Sequence, residues 1–456
     1  MKRPETPPTD AERILGLASN KLGTILREAV RTEAEGKYRH WDKLRHLAPP
    51  DGFTREQLWG ATKLVRRAAL KDLPLRDARG EPFRYAITDM ISRLLHEIDL
   101  GAGGNIGMPD PIANPQTRSQ YVMRSLFQEA VTSSQLEGAA TTRAVAKEML
   151  RSGRPPRTRG ERMILNNYLT MQRVAEWKER PLAPDLIFEM HRMVTDGTLE
   201  TPDGAGRLRR ADEKITVQDV ITGEIFHSPP PAEQLSERLE ALCTFANGSV
   251  LDVGKPEGRF IHPAVRAILV HFWLAYDHPF VDGNGRTARA LFYWSMLRQG
   301  YWLFEFVSIS EILVKAPAKY ARSFLCTETD ENDATYFLLY QCEVIRRSIV
   351  ALHEYIDAKS KELRETDALL RGATELNHRQ QALIAHALRK PGARYTIEGH
   401  RRSHAIVYET ARNDLLVLAR LGLLEHRKSG RSFAFIAEPD LPDRLQRLVK
   451  SKSAIG

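Results

Sequence analysis

The chain has 456 residues, 42% of them hydrophobic and 27% charged, with a net charge of +9, an ordinary soluble composition with material for two or three cores. Only Cys243, Cys326 and Cys342 occur, far apart and odd in number, which argues against a disulfide framework or a zinc site and matches a reducing cytoplasm. The longest apolar run, residues 267–276, is far short of the roughly 18 residues that span a bilayer. Residues 1–15 carry early positive charge with no apolar stretch behind it, so neither a membrane anchor nor a secretory leader is expected. The basic excess sits mostly in the tail, where residues 371–456 hold 16 Lys+Arg against 8 Asp+Glu.

Residues 1–100 read as mostly helical, with apolar periodicity over 14–29 and 86–95 and turn-rich stretches at 49–52 and 73–80. They suggest a scaffold or target-selecting addition. Residues 101–115 (GAGGNIGMPDPIANP) form a Gly/Pro-rich linker, without the strand or spacing a dinucleotide fingerprint requires. An amphipathic helix over 121–136 follows and ends in SSQLEG, where a glycine suits the helix C-terminus. Residues 144–177 and 184–194 supply further helices. The period then changes over 214–227: ITVQDV, a turn at Thr222-Gly223, and EIFHS predict a short β-hairpin. Residues 259–263 open a long apolar helix, with His262 and His271 as capping or packing residues.

That helix delivers HPFVDGNGRTAR, residues 278–289. Gly283, Asn284 and Gly285 adopt positive φ at little cost, so successive backbone N–H groups can face one concavity, as in anion-binding nests. A helix then opens over 287–297, which sets Arg286 and Arg289 three apart near one face. These are the parts of a phosphate site.

The segment resembles the signature of Fic-domain proteins, HPFx[DE]GNGRxxR, and meets every fixed position. In that family the motif transfers a nucleotide monophosphate, usually AMP from ATP, to a hydroxyl of a target protein. The resemblance implies an all-helical core with a β-hairpin flap over the cleft. It implies His278 as general base and Asp282 as holder of Mg²⁺ at the α- and β-phosphates. Gly283, Asn284 and Gly285 would cradle phosphate through their amides, Arg286 would neutralise the α/β-phosphates, and Arg289 would reach the γ-phosphate. Tyr320, in KYARSFL, is similar in placement to a tyrosine of the adenine pocket. Gly285 stands where a phosphate-transferring branch of the family has lysine. Upstream, Ser133, Glu137 and Gly138 match the [ST]xxxE[GN] motif of an inhibitory helix, whose glutamate pairs with the second signature arginine. Glu137 and Arg289 would then form a partly buried bidentate contact. In some relatives the same glutamate serves AMP removal instead.

A long helix over 335–364 looks like a connector. Residues 376–437 resemble a winged-helix module: LNHRQQALIAHAL, TIEGHRRSH and TARNDLLVLARLGLL as three helices, then HRKSGRSFAFIA as a hairpin wing turning at Ser429-Gly430. Val407 stands where related modules often have a capping serine. Arg401, Arg402, Arg412, Arg427, Lys428 and Arg431 support DNA binding, and protein contact or homodimerisation is the other reading of the same surface.

The expected architecture is therefore mainly α. It has an N-terminal helical region (1–100), a Fic catalytic domain (101–370) with inhibitory helix (121–138) and flap (214–227), a winged helix-turn-helix (371–440) and a tail (441–456). The expected activity is an autoinhibited nucleotidyltransferase, a protein adenylyltransferase using ATP and Mg²⁺ on a Ser, Thr or Tyr of a target protein. The alternative is a DNA-binding transcriptional regulator whose Fic fold senses nucleotide without transferring it.

Overall fold

The computed structural model describes residues 2–8, 21–34, 37–102, 115–218, 222–248, 260–373, 375–389, 392–429, 432–438 and 440–453, and helices dominate among them. Most of the expected linker 101–115, the start of the expected 14–29 helix, three hairpin residues at 219–221, Arg259, Gly430 and Arg431 lie outside the described residues. The chain divides into two compact units, Met1–Leu352 and His353–Gly456. The first hundred residues belong to the first of these.

In that unit α1 (Leu22–Ala34) and α2 (Arg55–Arg67) share a small core of Ile25, Ala29 and Ala61. α2 starts at a capping box in which Thr54 and Gln57 exchange side-chain and backbone hydrogen bonds. The turn-rich reading of 73–80 is corrected here. β1 (Lys71–Arg76) pairs antiparallel with β2 (Pro82–Tyr85), burying Leu73 and Leu75 on one face, and only the residues between them turn. The alternation Leu-Pro-Leu had been hidden by its proline, which an edge strand tolerates. Buried ion pairs join this region to the chain near residue 330. Lys63 Nζ lies 2.8 Å from Asp330 Oδ1, and Arg66 bonds Glu33 at 2.8 Å and the Tyr336 hydroxyl at 2.7 Å.

After α3 (Asp89–Ala102) come α4 (Pro115–Leu136), α5 (Arg143–Ser152), α6 (Arg159–Trp177) and α7 (Pro184–Thr195). The hairpin forms as β3 (Val217–Gln218) and β4 (Ile225–His227), followed by α8 (Leu235–Asn247). Two helices make the centre: α9 (Pro263–Asp277), buried almost end to end, and α10 (Asn284–Arg298), packed against it. His262 caps α9 by accepting the Ala264 amide, with Pro263 in the first turn where its missing N–H costs nothing. α11 (Pro317–Thr329) and α12 (Thr335–Gly372) complete the unit, and the division at residue 352 falls within α12.

The second unit has α13 (His378–Arg389), β5 (Arg394–Tyr395), α14 (Ile397–His404), α15 (Tyr408–Arg420), β6 (Leu424–Ser429) and β7 (Ser432–Ala437), with strand order β5-β7-β6. Val407 is the N-cap of α15 and makes no capping hydrogen bond. Asp414 fastens its helices together: it accepts from Asn377, Arg379 and His400. Residues 441–453, expected as a tail, instead form α16 (Leu441–Ser453), whose Leu441 and Leu445 are buried in this unit's core. Their four-residue spacing is the reason. No helix among the described residues is long and apolar enough to cross a membrane.

Candidate active site

α9 ends where its last turn meets His278, which takes the left-handed conformation (φ 45°) and donates its amide to the Leu274 carbonyl. Glycine is the usual residue there, and a side chain in that region is strained by on the order of 1 kcal/mol or more. The strain is held in place by Arg209, whose Nε donates to the His278 carbonyl at 2.9 Å and whose amide donates to the Pro279 carbonyl at 2.8 Å. The imidazole is fixed as well. Its Nδ1 lies 2.8 Å from the Ala275 carbonyl, which can only accept, so the proton sits on Nδ1 and the lone pair on Nε2. Burial pushes its pKa below the ordinary histidine value, against the pull of that carbonyl.

The glycine turn follows. Asn284 staples it: Oδ1 accepts the Phe280 amide at 3.0 Å and Nδ2 donates to the Phe280 carbonyl at 2.8 Å. Gly283 (φ 84°) caps α10, and a Cβ there would collide with Thr195. The amides of Asn284, Gly285 and Arg286 belong to the first helical turn, which has no acceptors of its own. A carboxylate already lies against this nest: a Cβ on Gly285 would run into Glu137 Oε1.

Glu137 comes from the end of α4. Gly138 (φ 86°) closes that helix, its amide bonding Gln135 and the Ala139 amide bonding Ser134. Arg289, 1% exposed, meets it with Nη2 2.8 Å from Oε1. The contact uses one carboxylate oxygen and one guanidinium nitrogen, not the bidentate pair expected. The rest of the guanidinium is taken by Ser133, with Nε 2.8 Å from its hydroxyl and Nη2 3.0 Å from its carbonyl. α4 is itself bolted down by buried Glu129, which accepts from the Tyr293 and Ser308 hydroxyls and the Ser310 amide.

A cavity of about 560 Å³ brings these groups together. Glu137, His278, Gly283, Arg289 and Tyr320 line it, together with hairpin residues Val217 and Phe226. Tyr320 bonds His271 Nε2 through its hydroxyl at 2.8 Å. His271 is neutral, since burial and then Arg289 hold its pKa at about 3. Arg286 is placed differently from Arg289: fully buried beneath the turn, with Nη1 on the Val194 carbonyl at 2.6 Å. Its Nε and Nη2 are buried without a hydrogen-bond partner, and Asp282 Oδ1 stands 3.7 Å from Nη2.

Asp282 is half-exposed. Oδ1 accepts the Gly283 amide at 2.5 Å and lies 3.7 Å from Arg286 Nη2, while Oδ2 meets Arg159 Nη2 at 2.9 Å. A single carboxylate beside a phosphate nest suits Mg²⁺, which keeps waters and shares its ligands with substrate phosphates. Among the described residues no cluster of three or more His, Cys, Asp or Glu forms a self-contained metal site.

Sequence reasoning missed the supports. His191, stacked on Phe280 at 3.7 Å, accepts the Gly206 amide at Nδ1 and holds the Asp282 carbonyl with Nε2 at 2.8 Å. Burial keeps it neutral, with a pKa of about 4. Arg159, Arg209 and Glu129 are likewise remote in sequence, and no local motif signals them.

Residues 181–296 match the Fic/DOC family. The chain is 35% identical over 124 residues to "Protein adenylyltransferase Fic" of Nematostella vectensis, covering 27% of this chain and 25% of that protein. It is 37% identical over 118 residues to "Protein adenylyltransferase fic-1" of Caenorhabditis elegans, covering 26% and 20%. The match thus spans about a quarter of those relatives' length. In fold, the chain is similar to a Fic family protein from Desulfovibrio desulfuricans G20, with a TM-score of 0.51 at 18% identity, over 78% of this chain and 98% of that one. The chain therefore carries a Fic/DOC domain across residues 181–296.

Proposed function

We propose that the chain is a protein adenylyltransferase, held switched off by its own α4, that moves AMP from ATP to a Ser, Thr or Tyr hydroxyl of a target protein. The observation that carries this reading is the Glu137 carboxylate lying against the Gly285 nest and on Arg289, in the cavity that His278 also lines. An anion is already accommodated where a terminal phosphate would be. The relatives named as adenylyltransferases support the same chemistry.

In the reaction, His278 Nε2 takes the proton of the target hydroxyl, the oxygen attacks the α-phosphorus, and the bond to pyrophosphate breaks. The first-turn amides of α10 stabilise the phosphate charge, and Arg286 adds its positive charge from beneath the turn. Asp282 would hold a divalent cation, which supplies charge neutralisation at the α- and β-phosphates. Arg159 must release Asp282 for that. Tyr320 lines the cavity beside Arg289 and is proposed to face the base.

The test is labelling with α- or γ-radiolabelled ATP. The Glu137→Gly variant should raise α-labelling of protein by roughly tenfold or more, the release of one charge-assisted contact. Adding His278→Ala should abolish it. Flat labelling in Glu137→Gly would remove the brake, and γ-label on protein would remove AMP transfer.

For residues 371–440 we propose a winged-helix module used for protein contact. Four of its basic side chains are engaged within their own elements: Arg401 and Arg402 with Glu398, Arg412 with Glu409, Arg427 with Glu425. Val407 and Tyr408, 69% and 50% exposed at the start of α15, offer apolar surface instead. A gel shift of the full chain on duplex DNA should show no salt-dependent complex; a steep salt slope would restore the DNA-binding regulator.

A further inference from the structure

The hairpin β3–β4 has almost no stability of its own. It shares two ladder positions, Val217 with His227 and Gln218 with Ile225, with an irregular register between them. A two-stranded ribbon of that size is marginal in water, so its position depends on what fastens it.

The fastening is at His227, the last residue of β4 and 8% exposed. Its Nδ1 lies 2.8 Å from Glu328 Oε2 on α11, and its Nε2 lies 2.7 Å from the Tyr276 carbonyl in the last turn of α9. Both partners are acceptors. Each nitrogen must therefore carry a proton for both bonds to exist, and the ring is an imidazolium. The carbonyl end of a helix favours a cation as well. A second fastening follows at once, since Arg209 Nη2 donates to the Pro230 carbonyl while its Nε holds the His278 carbonyl.

We propose that His227 is a positioning residue, whose two-sided clasp sets the hairpin over the catalytic loop, and that the hairpin loses its place when the ring gives up its second proton. This rests on the adenylyltransferase reading, in which the hairpin presents the target segment. The groups facing His227 are Glu328 from α11, the Tyr276 ring and carbonyl and the Asp277 carboxylate from α9, and His278 beyond. Asp277 is itself occupied by Arg238 and Trp273. Burial opposes the charge on His227, but Glu328, the Tyr276 carbonyl and Asp277 outweigh it and lift its pKa above the ordinary value. A folded-state pKa that is raised means a clasp intact at lower pH and lost as pH rises through the raised value. The charge also reaches the base: after burial, His227 is among the groups holding His278 neutral.

Hydrogen–deuterium exchange on the full chain tests this between about pH 6 and about pH 9, corrected for intrinsic exchange, with the ¹⁵N imidazole signal of His227 followed in parallel. Protection over residues 217–218 and 225–227 should fall roughly tenfold or more as pH rises, in step with the imidazole. In Glu328→Gln the fall should begin at lower pH, while protection within α9 stays as in the wild type. Protection that ignores pH, or a Glu328→Gln hairpin that titrates like the wild type, overturns the proposal. Should Glu328→Gln fail to fold, the wild-type profile and a singly protonated ¹⁵N signature near neutral pH would overturn it equally. A clasp that titrates in a Glu137→Gly protein transferring no α-label keeps the clasp and sinks the enzyme reading. Transfer with a hairpin indifferent to pH does the reverse.

Discussion

His278 combines a backbone that resists its side chain with a ring that has one permitted tautomer. Because Nδ1 is committed to the Ala275 carbonyl, only Nε2 can take a proton. Burial holds the pKa below its ordinary value, so the ring is neutral at pH 7. For the unbraked Glu137→Gly enzyme, the rate should therefore fall as pH drops through that lowered pKa, and fall again at higher pH as His227 deprotonates and the hairpin loses its place. A rate limb rising between about pH 7 and about pH 8 would show that some other group is the base. The same residue marks what the sequence could convey. HPFVDGNGRTAR is contiguous, and its parts do converge on one cavity. What it could not convey is that Arg286 lies beneath the turn rather than in the cavity, because three residues along a helix fix angular separation, not depth.

At the scale of elements, the proposed brake is a helix rather than a residue. Glu137 reaches the nest only because α4 is held, and Glu129 does much of the holding through Tyr293, Ser308 and Ser310. Glu129→Ala strands those donors, and should loosen α4 and raise α-labelling, though by less than Glu137→Gly. Exchange within residues 121–136 should rise in the same variant. Labelling unchanged with faster exchange would mean that Arg289 and Ser133 keep Glu137 in place unaided. SSQLEG was legible as a helix end with a glycine cap, and the cap is there. Glu129 was not legible, since a buried glutamate looks like any other in a polar stretch until its partners, 164 to 181 residues away, are known. β1 escaped for a related reason: its burial alternates, but its proline and charged neighbours mimic a turn.

For the molecule as a whole, the two units differ in what limits them. The second depends on Asp414, 3% exposed, where Asn377 and Arg379 from one stretch of chain and His400 from another converge. Burial works against its charge, but those donors prevail and hold its carboxyl below the ordinary value. Its contribution is thus present above the unfolded carboxyl's pKa and lost as pH falls through the depressed one. Asp414→Ala should remove about 1.5–3 kcal/mol from this unit's unfolding transition at neutral pH, and flatten its acid sensitivity. An unaltered acid limb would show that other carboxylates set it. The helical periods of this unit are readable from the leucines, yet α16 reads as a tail because its apolar positions stand among five charges and a proline.

Lys63 and Arg66, 2% and 3% exposed, reach partners hundreds of residues downstream: Lys63 pairs with Asp330 and Glu331, and Arg66, neutralised by Glu33, donates to the Tyr336 hydroxyl. Ammonium and guanidinium groups so deeply enclosed depend on those counter-charges. The described residues of the opening hundred are consequently joined to the unit that holds the cavity. α11, which carries both Tyr320 and Glu328, ends at the doorstep of Asp330, so a disturbance at Trp59 or Glu33 has a short mechanical route to two residues that line the pocket.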